Sequence, residues 1–136
     1  MARRSEQRRA AAFALYQADV TARSISDTLP RDASLFTRSL AHAADDLRDE
    51  LDEHIARHSE GWTLARIAPL EKAIMRTALI EMLHPDAVPA DTPIPPEGAI
   101  EEAVKTAKTY AAAQAPAFVN GILAAVLRET RQNQRR

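Results

Sequence analysis

Residues 69–83 read Pro69-Leu-Glu-Lys-Ala-Ile-Met-Arg-Thr-Ala-Leu-Ile-Glu-Met-Leu83, and this stretch decides the fold. Leu70, Ile74, Ala78 and Met82 recur at helical spacing, while Met75, Leu79, Ile80 and Leu83 cover a second side. A helix apolar nearly all round is surrounded by other elements, so the stretch predicts a central helix from Leu70 to Leu83. Pro69 fits its first turn, where the missing N–H costs no hydrogen bond. Glu81 is the exception: either it points outward, or its carboxylate is a docking contact for a partner.

The flanking segments carry the same period. Before Pro69, Trp62-Thr63-Leu64 opens the second half of the chain, with Thr63 a cap for a short helix to about Ala68. Gly61 suits the left-handed residue that ends a preceding helix. That preceding helix is long, capped by Asp32 or Ser34. Its stripe is Leu35/Phe36, Leu40, Ala43/Ala44, Leu47, Leu51 and Ile55. Ser24 to Pro30 is a polar connection, and residues 5–20 form a first helix with Ser5 as N-cap. After Leu83, Pro85, Pro89, Pro93, Pro95 and Pro96 make a stiff, irregular connection. A helix resumes near Glu97 or Gly98, with Ile100, Ala103, Val104, Ala107 and Ala111 on one face and Lys105 and Lys108 off it. The last helix follows Pro116, and its polar end frays from about Thr130.

Composition agrees with an all-α chain. The 136 residues are 46% hydrophobic but only 4% aromatic, and they include three glycines, too few for a turn-rich β-fold. The length suits one domain. There is no cysteine, which excludes disulfides and thiolate metal sites. No apolar run approaches the roughly 18–20 residues that span a bilayer, and the N-terminus lacks a secretory apolar core. The cytoplasm is the expected location.

The formal net charge of −1 hides an uneven distribution. Arg3, Arg4, Arg8 and Arg9 against Glu6 leave the first nine residues at +3. Arg128, Arg131, Arg135 and Arg136 against Glu129 do the same at the C-terminus. Residues 43–60 carry −5, the outer face of the long helix. Local basic patches are the footprint of nucleic-acid binding, although basic termini also serve only to solubilise.

Catalytic patterns are missing: there is no Gly-rich phosphate loop and no Gly-x-Ser-x-Gly elbow. His54 and His58 have zinc-compatible helical spacing, but Ile55-Ala56-Arg57 between them lacks the metalloprotease glutamate, so neither metal nor cofactor is expected. The informative segment is Phe118-Val119-Asn120-Gly121-Ile122-Leu123. Glycine inside a helix costs roughly 1 kcal/mol relative to alanine, acceptable where another backbone approaches or a side chain would block a contact. Asn120 can tie a neighbouring loop to the helix. Phe118 is either core or an exposed ring on which a base stacks.

Five pieces in order make the chain resemble the NusB family from Arg4 to about Arg128. They are the basic first helix ending Ala14-Leu15-Tyr16, then Trp62-Thr-Leu-Ala-Arg66-Ile67, and Glu71-Lys-Ala-Ile-Met-Arg76 leading into Leu79-Ile-Glu81-Met-Leu. Ile100-Glu-Glu102-Ala-Val104-Lys-Thr-Ala-Lys108 and Phe118-Val-Asn-Gly-Ile-Leu123 complete the set. The resemblance implies a single domain of about seven helices in two small bundles packed across each other, divided near residues 1–60 and 62–130. It implies a non-enzymatic antitermination factor for ribosomal RNA operons, which pairs with the ribosomal protein NusE on the boxA element of nascent RNA within the transcription elongation complex. By position, Arg4 and Arg8, with Arg3 and Arg9 as helpers, and Phe118 would bind RNA. Tyr16 and Glu81 would meet the partner, while Asn120 and Gly121 would serve structure. The chain departs from the family pattern at Gln7, at Glu101, in the bare Ala115-Pro116-Ala117 and in its longer proline-rich connection. Two other readings are a targeting domain of an RNA methyltransferase, which would need a further catalytic domain, and a homodimeric assembly protein.

Overall fold

The computed structural model describes residues 3–135. Arg136, counted above in the basic C-terminal stretch, lies outside them. The described residues form seven α-helices and no strand: α1 (Arg4–Thr21), α2 (Ile25–Thr28), α3 (Leu35–Asp46), α4 (Arg48–Arg57), α5 (Pro69–Leu83), α6 (Pro96–Tyr110) and α7 (Ala115–Gln134). Short 3-10 turns occupy Leu64–Arg66 and Pro85–Ala87.

The helix read as central is central. Pro69 stands in the first turn of α5, and every residue from Ala73 to Met82 is buried. Helices α1, α3, α4, α6 and α7 all pack against it, around one contiguous apolar core. Arg76 is buried within α5 because Asp52 of α4 meets it as a fork, at 2.7 Å to Nε and 2.9 Å to Nη2. A buried guanidinium needs such a bidentate partner, and this one ties α4 to α5.

Several boundaries differ from expectation, each for a physical reason. Ser5 does not cap α1, because the helix starts at Arg4 and Arg3 holds the cap position. The Ser5 hydroxyl instead donates across to Glu102 Oε1 at 2.9 Å. The Ser24–Pro30 connection contains α2, one turn capped by Ser24 Oγ accepting from the Asp27 N–H, with Ile25 and Leu29 buried. The long second helix breaks at Leu47 (φ −99°, ψ 17°), giving α3 and α4. The bonds from Leu47 N–H to the Ala43 carbonyl and from Leu51 N–H to the Leu47 carbonyl bridge the break, so the apolar stripe runs through it undisturbed. Of the two capping candidates, Ser34 is the cap, accepting from the Thr37 N–H at 3.1 Å.

Gly61 is left-handed (φ +80°), but it follows Glu60 in the connection after α4 and does not close the helix itself. Thr63 makes no side-chain cap. The proline-rich connection packs rather than loops out: Val88 is buried and Ile94 half-buried against the core. α6 begins at Pro96, one residue early, and α7 stays helical through Thr130 to Gln134.

Candidate nucleic-acid interface

The arginine-rich start of α1 divides into residues that face out and residues that are engaged. Arg3 and Arg4 are exposed. The Arg4 guanidinium lies 4.2 Å from the ring centroid of Phe36, a cation–π contact that holds it beside α3. Arg8 lies 5.4 Å from the same ring, but its main partner is Glu81. Arg8 Nε and Nη2 donate to the two Glu81 oxygens at 2.6 and 3.0 Å, with the side chains 15% and 8% exposed. The expectations for an RNA-contacting Arg8 and a docking or outward Glu81 therefore meet in one half-dry pair. Glu81 does not point outward, and the Arg8 fork is engaged rather than open to a phosphate. Arg9 is half-buried at the seam between α1 and α6. Tyr16 is half-buried and packs against the core from α1.

Phe118 sits on the first turns of α7, half-buried, with its ring edge-to-face with Trp62 (centroids 6.3 Å apart, planes at 68°). Trp62 is 55% exposed. The pair lines an open cleft of about 470 Å³ with Arg57, His58, Gly121 and Arg128. Neither alternative for Phe118 holds alone, since the ring braces the core and also shows itself in the cleft. Gly121 is not needed for close packing inside the chain, because a Cβ there would meet nothing within 4 Å. It lines the open cleft instead. Asn120 is exposed and its amide bonds to no described residue, so it ties down no loop.

The two sets of RNA candidates are not brought into one pocket: Arg4 and Arg8 flank Phe36, whereas Phe118 belongs to the Trp62 cleft. His54 and His58 each face another side chain. His54 Nδ1 faces Arg57 at 3.3 Å, and no group of three His, Asp or Glu among the described residues is placed to hold an ion. Burial, aided by Arg57, holds the His54 ring below its ordinary pKa of 6.5. His58 Nε2 lies 3.2 Å from Glu129 Oε2 but is misaligned for a hydrogen bond. Trp62, Arg57 and Arg128 escaped the sequence reading as site residues. The lone tryptophan beside Gly61 was visible, but its exposure was not.

The description of the NusB family matches residues 5–128. The chain belongs to the NusB family. Among the relatives, the transcription antitermination protein NusB of Rubrobacter xylanophilus is 35% identical over 90% of this chain and 88% of its own length. That of Leifsonia xyli is 33% identical over 93% and 92%. The match to the Frankia casuarinae NusB is 46% identical but spans only 59% of this chain and 55% of that protein. A solved structure, T. maritima NusB, superposes with a TM-score of 0.81 at 26% identity, covering 94% of this chain and 92% of that one. A complex of antitermination factors NusB and NusE with double-stranded RNA shares the fold (TM-score 0.77, 22% identity, 93% and 96% covered). NusB antitermination factors are RNA-binding proteins and not enzymes. No helix among the described residues is long and apolar enough to cross a membrane.

Proposed function

We propose that this protein is an antitermination factor that binds single-stranded, boxA-type nascent RNA jointly with NusE and so supports transcription of ribosomal RNA operons. The observation that carries the reading is the exposed Trp62 ring paired with half-buried Phe118 in a cleft flanked by Arg57 and Arg128. Unstacked bases are recognised on aromatic faces, and the phosphates between them by nearby cations. Arg3 and Arg4 add a second phosphate-binding surface at the start of α1, and Tyr16 with the Arg8–Glu81 pair marks the face for the protein partner. Two weak RNA surfaces, one on each protein, combine into one strong site when the partner joins them.

A fluorescence titration of boxA-type RNA, with and without NusE and at two salt concentrations, tests the reading. Weak binding alone, tightened by NusE, is expected. Equal binding of a scrambled RNA by the pair would overturn it.

A further inference from the structure

Helices α1 and α6 both pack on α5, and their side chains meet in the same order along the two helices. Ser5, at the start of α1, donates to Glu102 in the middle of α6, and farther along the Phe13 and Tyr110 rings meet edge-to-face, centroids 5.1 Å apart. Between these two contacts lies a cleft of about 130 Å³. Arg9 enters it from α1, and Lys105, Thr106 and Thr109 line it from α6. Neither cation is ion-paired among the described residues, whereas Arg8, one position before Arg9, is. The carboxylate at the cleft, Glu102, accepts from Ser5 and lies 4.0 Å from Arg8, which leaves two cations against one carboxylate in the cleft. Both threonine hydroxyls donate to their own helix, at Glu102 and Lys105 carbonyls, leaving the cations to act on any anion. Tyr110, 50% exposed, stands at the far end of the seam, just before the turn into α7 and Phe118.

We propose that the α1–α6 seam is a phosphate subsite for single-stranded RNA, in which Arg9 and Lys105 clamp one backbone phosphate and Tyr110 offers the next base a stacking face. The subsite rests on the RNA-binding reading above and extends it. It lies one to two turns along α1 from the exposed Arg3 and Arg4, with Tyr110 at the end of α6 beyond it. Two cations projecting from two helices across a polar cleft suit a phosphate, which needs charge from both sides.

The test is a titration of fluorescein-labelled boxA-type RNA with the full chain and NusE over a range of salt. Each phosphate contact to a single strand contributes about 0.7 to the slope of log affinity against log salt. Arg9→Ala/Lys105→Ala is expected to lower that slope by about 0.7 and to weaken binding roughly tenfold at low salt. Arg31→Ala/Arg135→Ala, which removes the same charge elsewhere, is expected to leave the slope in place. Tyr110→Ala should weaken binding about tenfold without changing the slope, and Tyr110→Phe should restore it. Thermal melts confirm that each variant folds. An unaltered slope and affinity for the Arg9/Lys105 variant, beside a wild type that binds, overturns the subsite alone. A wild type that binds no RNA overturns both readings. Loss of NusE binding without RNA would place a protein, not a nucleic acid, on the seam and also overturn it.

Discussion

Arg8 and Glu81 form a bidentate pair that is largely out of water, so neither side chain can be removed without stranding the other. An unpaired buried charge costs more than the pair contributes. Glu81→Ala is therefore expected to destabilise the fold by roughly 3 kcal/mol in a urea titration, while Arg8→Met/Glu81→Leu recovers most of that loss. A fall in partner binding by Glu81→Ala alone would thus mix docking with loosened packing, and the double variant separates them. His54 gives a pH signature. Its folded pKa is depressed below 6.5, so on acidification the unfolded chain takes up the proton first. The associated stability is complete above pH 6.5 and is lost as pH falls through the depressed folded value. Melting temperatures between pH 7.5 and about 5.5 should fall for the wild type, and less for His54→Gln. Glu81 stood out in the sequence as a carboxylate among apolar neighbours, but its partner lies 73 residues away and no local pattern could name it.

The helices themselves were largely legible, because a buried face imposes its 3.6-residue period on the chain. The apolar girth of α5 marked it as central before any contact was known. Punctuation was less legible: the break at Leu47 leaves the stripe intact, and α2 is a single turn within a polar segment. The two glycines illustrate the difference in environment. Gly61 occupies φ +80°, where a Cβ is strained, so Gly61→Ala should cost about 1 kcal/mol. Gly121 lies in α7 with open space where a Cβ would go. Gly121→Ala should therefore stabilise the protein by up to about 1 kcal/mol and raise its melting temperature. The same methyl intrudes on the Trp62–Phe118 cleft, so RNA affinity is expected to fall as stability rises. A variant that binds RNA unchanged would show that this side of the cleft plays no part in recognition.

The molecule as a whole carries almost no net charge, so any RNA affinity must come from local cations rather than a general field. Binding is expected to weaken about tenfold between roughly 50 and 200 mM salt, a modest loss that fits a few phosphate contacts. Titration at those two concentrations checks it. An insensitive affinity would shift the weight to stacking at Trp62, Phe118 and Tyr110. From residues alone came the all-α class, the central helix and the ordered motifs of the NusB family, because each depends on local spacing or on side chains a few positions apart. Tertiary structure decided which cations are free. It turned Arg8 inward to Glu81 and left Arg4 on Phe36. It set Arg9 opposite Lys105, and it opened a cleft around Trp62 that no sequence period marks. The reason is physical: a helical period records which face is buried, whereas the partner of a charge or an exposed ring is set by whichever distant element packs beside it.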